Sequence, residues 1–167
     1  MKKNILILFV VLSTIISHSM VNAQDLHETN APEFEFTDIN GNIISTENTI
    51  GKVVVLNFWF VGCAPCLEEI PALNEIYEKY KENSDVVFAS VTYDDQKKVK
   101  RSLKKYNFAY PIVTNAKETC NVFQINGYPT NIVIDRKGKI YFSFTGGFSG
   151  IGKVVSKSIE GALEIND

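Results

Sequence analysis

The sequence predicts one α/β domain of three layers around a central mixed sheet, and three observations carry that prediction. Apolar runs of strand length alternate with segments whose apolar residues recur at helical spacing. The chain then closes with a hairpin and a last helix, which adds antiparallel neighbours to the parallel ones that strand-helix-strand units require. Finally, Cys63 and Cys66 fall where the longest apolar run gives way to a helix.

Taken in order, residues 1–23 read as an export signal. Lys2 and Lys3 supply a positive start, Ile5 to Ile16 form an apolar run broken only by Ser13 and Thr14, and Val21-Asn22-Ala23 offers small residues near a cleavage point after Ala23. The run is short for a bilayer, which takes about 20 apolar residues. Uncleaved, it would anchor the same domain on the outer face of a membrane. Residues 24–31 are a polar lead, and residues 32–167 form the domain, a length that suits one core.

Within the domain, Phe34 and Phe36 alternate with polar residues, and Asn40-Gly41 turns the chain toward Ile43 and Ile44, predicting a small edge hairpin. Gly51 precedes Val53 to Phe60, a β-branched and aromatic run that reads as a central strand buried on both faces. From Cys63, the residues Leu67, Ile70, Leu73, Ile76, Tyr77 and Tyr80 keep helical spacing to about Lys81. Val86 to Tyr93 is a second strand and Asp95 to Tyr106 an amphipathic helix. Pro111 to Val113 is a short strand, Thr119 to Gln124 a short helix, and Gly127-Tyr128-Pro129-Thr130 leads into a strand from Asn131 to Asp135. Arg136-Lys137-Gly138 turns into Lys139 to Thr145, and a helix from Ser149 to Leu163 ends the domain.

Composition narrows the function. Without residues 1–23, which carry two lysines and no acid, the formal charge moves from −2 to −4, a balance that argues against nucleic acid as a partner. The basic cluster Lys97, Lys98, Lys100, Arg101, Lys104 and Lys105 is interleaved with Val99, Leu103 and Tyr106 at helical spacing, so it is read as a solvated helix face. The 3 cysteines all follow the signal, in a compartment that permits disulfides.

Cys63 and Cys66 share a helix face, and the first sits at the helix start, where unpaired backbone N–H groups favour a thiolate. Such surroundings lower a cysteine pKa from about 8.5 to roughly 3.5–7.5. Cys63 is therefore the expected attacker, with an exposed sulfur, and Cys66, deeper in the helix, the shielded resolving thiol. Pro65 fits the first turn because it lacks an N–H that would find no partner there. Other uses of the pair stay open: a structural disulfide, a zinc site or copper carriage. Zinc is short of ligands, since the only histidines are His18 and His27, and a disulfide across so short a loop gains little stability. Cys120, beside Val122 and Phe123, reads as a small buried apolar residue.

The run Asn57 to Pro71, through Trp59, Gly62-Cys63-Ala64-Pro65-Cys66 and Glu68-Glu69, resembles the active-site strand and helix of the thioredoxin superfamily, closest to the exported TlpA/ResA-like thiol-disulfide oxidoreductases. Gly127-Tyr128-Pro129-Thr130 resembles that family's cis-proline loop. The likeness spans most of residues 32–163 and implies a thioredoxin-like fold with an N-terminal β-hairpin and an inserted strand-helix unit. It also implies roles. Cys63 matches the nucleophile, Cys66 the resolving thiol, and Glu69 a carboxylate that influences their proton transfers. Trp59, Ala64, Pro65, Tyr128 and Pro129 match the substrate-binding surface, with a cis bond before Pro129. Two positions depart from the pattern: Asn57 replaces the buried aspartate of thioredoxin, leaving Glu69 as the better proton acceptor, and Gly62 replaces the usual tryptophan before the first cysteine.

The resemblance implies a monomeric, exported protein-disulfide reductase, periplasmic or otherwise extracytoplasmic. It would use no cofactor or metal beyond the Cys63–Cys66 disulfide, act on protein disulfides and receive electrons from a thiol-reducing membrane donor. Cytochrome maturation is among the services compatible with the family. The alternatives are an oxidant that inserts disulfides, a peroxiredoxin-type peroxidase, and a non-enzymatic metal or partner-binding module.

Overall fold

The computed structural model describes residues 29–165. The signal at 1–23 and most of the polar lead lie outside the described residues. Phe34 and Phe36 turn inward from the first strand, β1 (Glu35–Thr37), which pairs antiparallel with β2 (Ile43–Ser45) across the predicted Asn40-Gly41 turn. Asp38 organises that turn by accepting the N–H groups of Asn40 and Asn42, and Gly41 takes a φ of 90°. The sequence predicts a small edge hairpin, and the hairpin forms where expected but apart from the main sheet. It forms its own two-stranded sheet, joined to the larger one through a single bridge between Asp38 and Val113.

The main sheet has the order β5-β4-β3-β6-β7. Its centre is β3 (Val53–Trp59), buried at every position, as its unbroken apolar run requires. Parallel to it run β4 (Val86–Thr92) and β5 (Ile112–Val113), while β6 (Thr130–Ile134) lies antiparallel on its other side and carries β7 (Ile140–Thr145). The sheet is therefore mixed, as expected.

Side chains alternate across β3 and fix what each face meets. Val53 and Val55 pack with Leu73 and Ile76 of α1 (Ala64–Tyr80) and with Ile151, Val155 and Ile159 of α4 (Ile151–Leu163). Val54, Leu56 and Phe58 pack on the opposite side with Phe34, Phe36, Cys120 and Phe123, so the hairpin and α3 (Lys117–Val122) form the other layer. A third cluster closes the end of the sheet where β3 stops: Trp59, Ile70, Ile112, Tyr106 and Val99 of α2 (Gln96–Ser102) surround the two cysteines. The α2 helix is shorter than its periodicity predicted, capped by Asp95 and finished before Leu103. The α1 helix continues through Pro71. These features place Asn57, Trp59 and the start of α1 at one end of the sheet, under a roof supplied by the segment between β4 and β5.

Candidate redox site

Beyond Trp59 the chain turns through Phe60, Val61 and Gly62 before α1 begins. Two side chains from the unit after β4 hold that turn. Val61 donates its N–H to Asp94 Oδ2 and Gly62 donates to the Tyr106 hydroxyl, both at 2.6 Å. Asp94 is itself buried and paired with Lys98. Gly62 adopts a φ of 110°, a conformation in which a Cβ is strained, so the residue that replaces the family's tryptophan also serves the turn.

Cys63 is the N-cap of α1 and its Sγ accepts the N–H of Cys66 at 3.3 Å. The two sulfurs are bonded to each other, with the Cα atoms 5.3 Å apart. An exposed Cys63 was expected. Instead Cys63 is 3% exposed and Cys66 1%. Bonding to Cys66 and capping the helix turn the Cys63 side chain inward, against the cluster of Trp59, Ile70, Val99, Tyr106 and Ile112. In the disulfide form the two positions thus differ by their place in the helix rather than by access. Ala64 and Pro65, by contrast, are exposed on the outer side of the turn. The loop after β7 passes close to Pro65, where a Cβ on Gly147 would come within 3.1 Å of the proline ring.

The Tyr128–Pro129 peptide is cis. Tyr128 is half-buried against the cysteine cluster and forms an aromatic group with Phe60 and Tyr93, ring centroids 5.4 and 5.7 Å away. Trp59 does not join that surface. It is fully buried, with its ring on Tyr106 and Phe108, because the last residue of β3 points under the roof. The expected substrate contact at Trp59 is therefore replaced by a role as the floor beneath the disulfide. Cys120 is buried, as expected. Burial raises its thiol pKa, and it shares a hydrogen bond with Tyr128.

Glu69 lies one turn beyond Cys66 and is only 3% exposed, while its neighbour Glu68 is exposed. Burial pushes its carboxyl up to about 7, against the opposing pull of hydrogen bonds from Asn131 and Asn57. Asn57 donates to Glu69 Oε1 at 2.8 Å, and Asn131 donates to Oε1 and Oε2 at 3.2 and 3.1 Å. Asn131 and Tyr110, which donates to Asn57 Oδ1, were not singled out from the sequence. The signal was there in part: Asn57 and Asn131 are polar residues in otherwise apolar strands, and they face each other in the β3–β6 register.

A disulfide-bonded cysteine pair at a helix N-terminus, a cis-proline after it in the chain and a mixed five-stranded sheet define the class: a thiol-disulfide oxidoreductase with a thioredoxin-like fold. The AhpC/TSA family model matches residues 28–143, and the chain belongs to that family. It is similar to the thiol-disulfide oxidoreductase ResA of Bacillus cereus (strain ZK / E33L), 32% identical over 135 residues that cover 80% of this chain and 75% of the relative. The thioredoxin-like protein YneN of Bacillus subtilis (strain 168) is 28% identical over 138 residues, covering 81% and 78%. Among solved structures, a thiol:disulfide interchange protein of the thioredoxin family from Chlorobium tepidum TLS superposes with a TM-score of 0.69 at 26% identity. That match covers 81% of this chain and 96% of the other.

Proposed function

We propose that the protein reduces protein disulfides outside the cytoplasm, with Cys63 as nucleophile, Cys66 as resolving thiol and Glu69 as their proton partner. The observation that carries the reading is the Cys63–Cys66 pair at the start of α1, with the buried Glu69 one turn behind it. In the reduced protein, the Cys63 thiolate attacks one sulfur of a substrate disulfide. A bond forms between Cys63 and that sulfur, and the other substrate sulfur leaves as a thiolate. Cys66 then gives up its proton and attacks Cys63 Sγ. This closes the Cys63–Cys66 disulfide and releases the second substrate thiolate, so two electrons pass from the protein to the substrate. Glu69, poised near neutral pH, accepts the Cys66 proton and returns it to solvent or to a departing thiolate.

The exposed Ala64 and Pro65 and the half-buried Tyr128 before the cis-proline form the surface on which the substrate lies. The reductive direction is supported by Glu69. Ionised on the same helix face as Cys66, it opposes thiolate formation and keeps the dithiol a willing electron donor. Export rests on Lys2, Lys3 and the apolar run that follows, and an exported reductase needs a membrane donor to restore its thiols. Equilibration of the protein with glutathione buffers tests the direction. A potential below about −200 mV fits a reductase, and one near about −120 mV would make the protein an oxidant instead.

A further inference from the structure

The donors around Glu69 determine one another. An ionised carboxylate only accepts hydrogen bonds, so both asparagines must turn their amide nitrogens toward it. Asn57 spends its second amide hydrogen on Asn131 Oδ1 at 3.0 Å. Its own oxygen is left facing Tyr110, whose hydroxyl must then donate, at 3.1 Å. Tyr110 suits that task because deep burial raises its pKa and keeps the phenol protonated. A protonated Glu69 would need an acceptor for its O–H, and both asparagines present amide nitrogens to it while their oxygens accept from Tyr110 and Asn57.

On its other side Glu69 borders a cleft of about 290 Å³ between the first turns of α1 and the loop entering α4, shared with Pro65, Glu68, Phe148 and Ser149. Of the titratable groups on these elements, Glu68 of α1 shares that cleft and Tyr110, before β5, reaches the ring through Asn57. The strands present Asn57 and Asn131, and the approach to α4 presents Ser149.

We propose that Asn131 and Asn57 are positioning residues that close the inner side of the Glu69 carboxyl, so that its proton enters and leaves through the cleft beside Pro65. The proposal rests on the reading of Glu69 as proton partner. It assigns to β6, immediately after the cis-proline, a part in setting when that carboxyl is charged. Oε1 accepts from both asparagines and Oε2 from one, so Oε2 is the oxygen left to take the proton.

The test follows the Glu69 side-chain carboxyl carbon by NMR across pH in the full, disulfide-bonded protein. Replacing Asn131 with leucine removes its contacts to both carboxylate oxygens and leaves that of Asn57, and the titration midpoint is expected to rise by about one pH unit or more. Asn131→Ser, which keeps a hydroxyl donor, is expected to raise it less, and it stands in if the leucine variant does not fold. Ser149→Phe fills the cleft from outside the ring. It is expected to raise the midpoint while leaving the Asn57 and Asn131 amide resonances in place. A folded Asn131 variant with an unmoved midpoint overturns the positioning role, and an unmoved midpoint in Ser149→Phe overturns the cleft route. The underlying reading fails separately: Glu69→Gln with a native pH profile of thiol alkylation would remove Glu69 from the chemistry while leaving the NMR result standing.

Discussion

Replacing Glu69 with glutamine should change how the stability of the disulfide-bonded protein depends on pH. Folding carries the carboxyl from an ordinary value of 4.5 up to about 7, chiefly through burial. Between those values the folded protein holds a proton that the unfolded chain has released, so stability falls as pH rises through this window. Each pH unit costs about 1.4 kcal/mol, which makes the full loss about 3 kcal/mol, complete above pH 7 and absent below 4.5. At 3% exposure, Glu69 gains little relief from solvent. Glutamine has no proton to lose, so urea denaturation at pH 5 and pH 8 should show the wild type losing about 2.5 kcal/mol more than the variant, the rest having gone below pH 5. Both proteins share every other titrating group, so the difference isolates Glu69. Parallel losses, within about 0.5 kcal/mol, would refute a buried carboxyl titrating near neutrality.

Cys63→Ser should reduce insulin disulfides no faster than the reductant alone, because the attacking sulfur is gone; turnover at the native rate would remove Cys63 from the reaction. Tyr106→Phe deletes the acceptor of the Gly62 N–H and should cost about 1 kcal/mol in denaturant melts, with the turn before Cys63 loosened. Unchanged stability would show that the hydroxyl does not hold the turn. Cys120→Ala should leave the insulin rate unchanged while costing stability, since the thiol is buried in the layer behind β3 and faces Tyr128 rather than the disulfide; a large fall in rate would contradict that division.

Much of the fold could be read in the sequence because its strongest signals are local. The apolar run of β3, the Asn40-Gly41 turn and the helical spacing after Cys66 each specify an element without help from distant residues. The pairing of the hairpin was less legible: whether β1 joins the main sheet depends on contacts made across the chain, and among the described residues the bridge between the two sheets is that of Asp38 with Val113. The site divides in the same way. Cys63, Cys66 and Pro129 announce themselves through spacing and motif. Asn131 and Tyr110 do not, because their importance comes from the β3–β6 register and from a side chain reaching Asn57 from the segment before β5. Trp59 was misassigned for a related reason: a tryptophan beside an active-site motif looks like a contact surface until the Tyr106 and Phe108 rings are seen covering it.

The unequal roles of the two cysteines are tested most directly by trapping. Cys66→Ser, reduced and then mixed with a disulfide-bonded protein such as insulin, should stop at the first step, and peptide mass mapping should find the substrate attached to Cys63. An adduct on Cys120, or no adduct at all, would contradict the assignment of Cys63 as the attacking thiol.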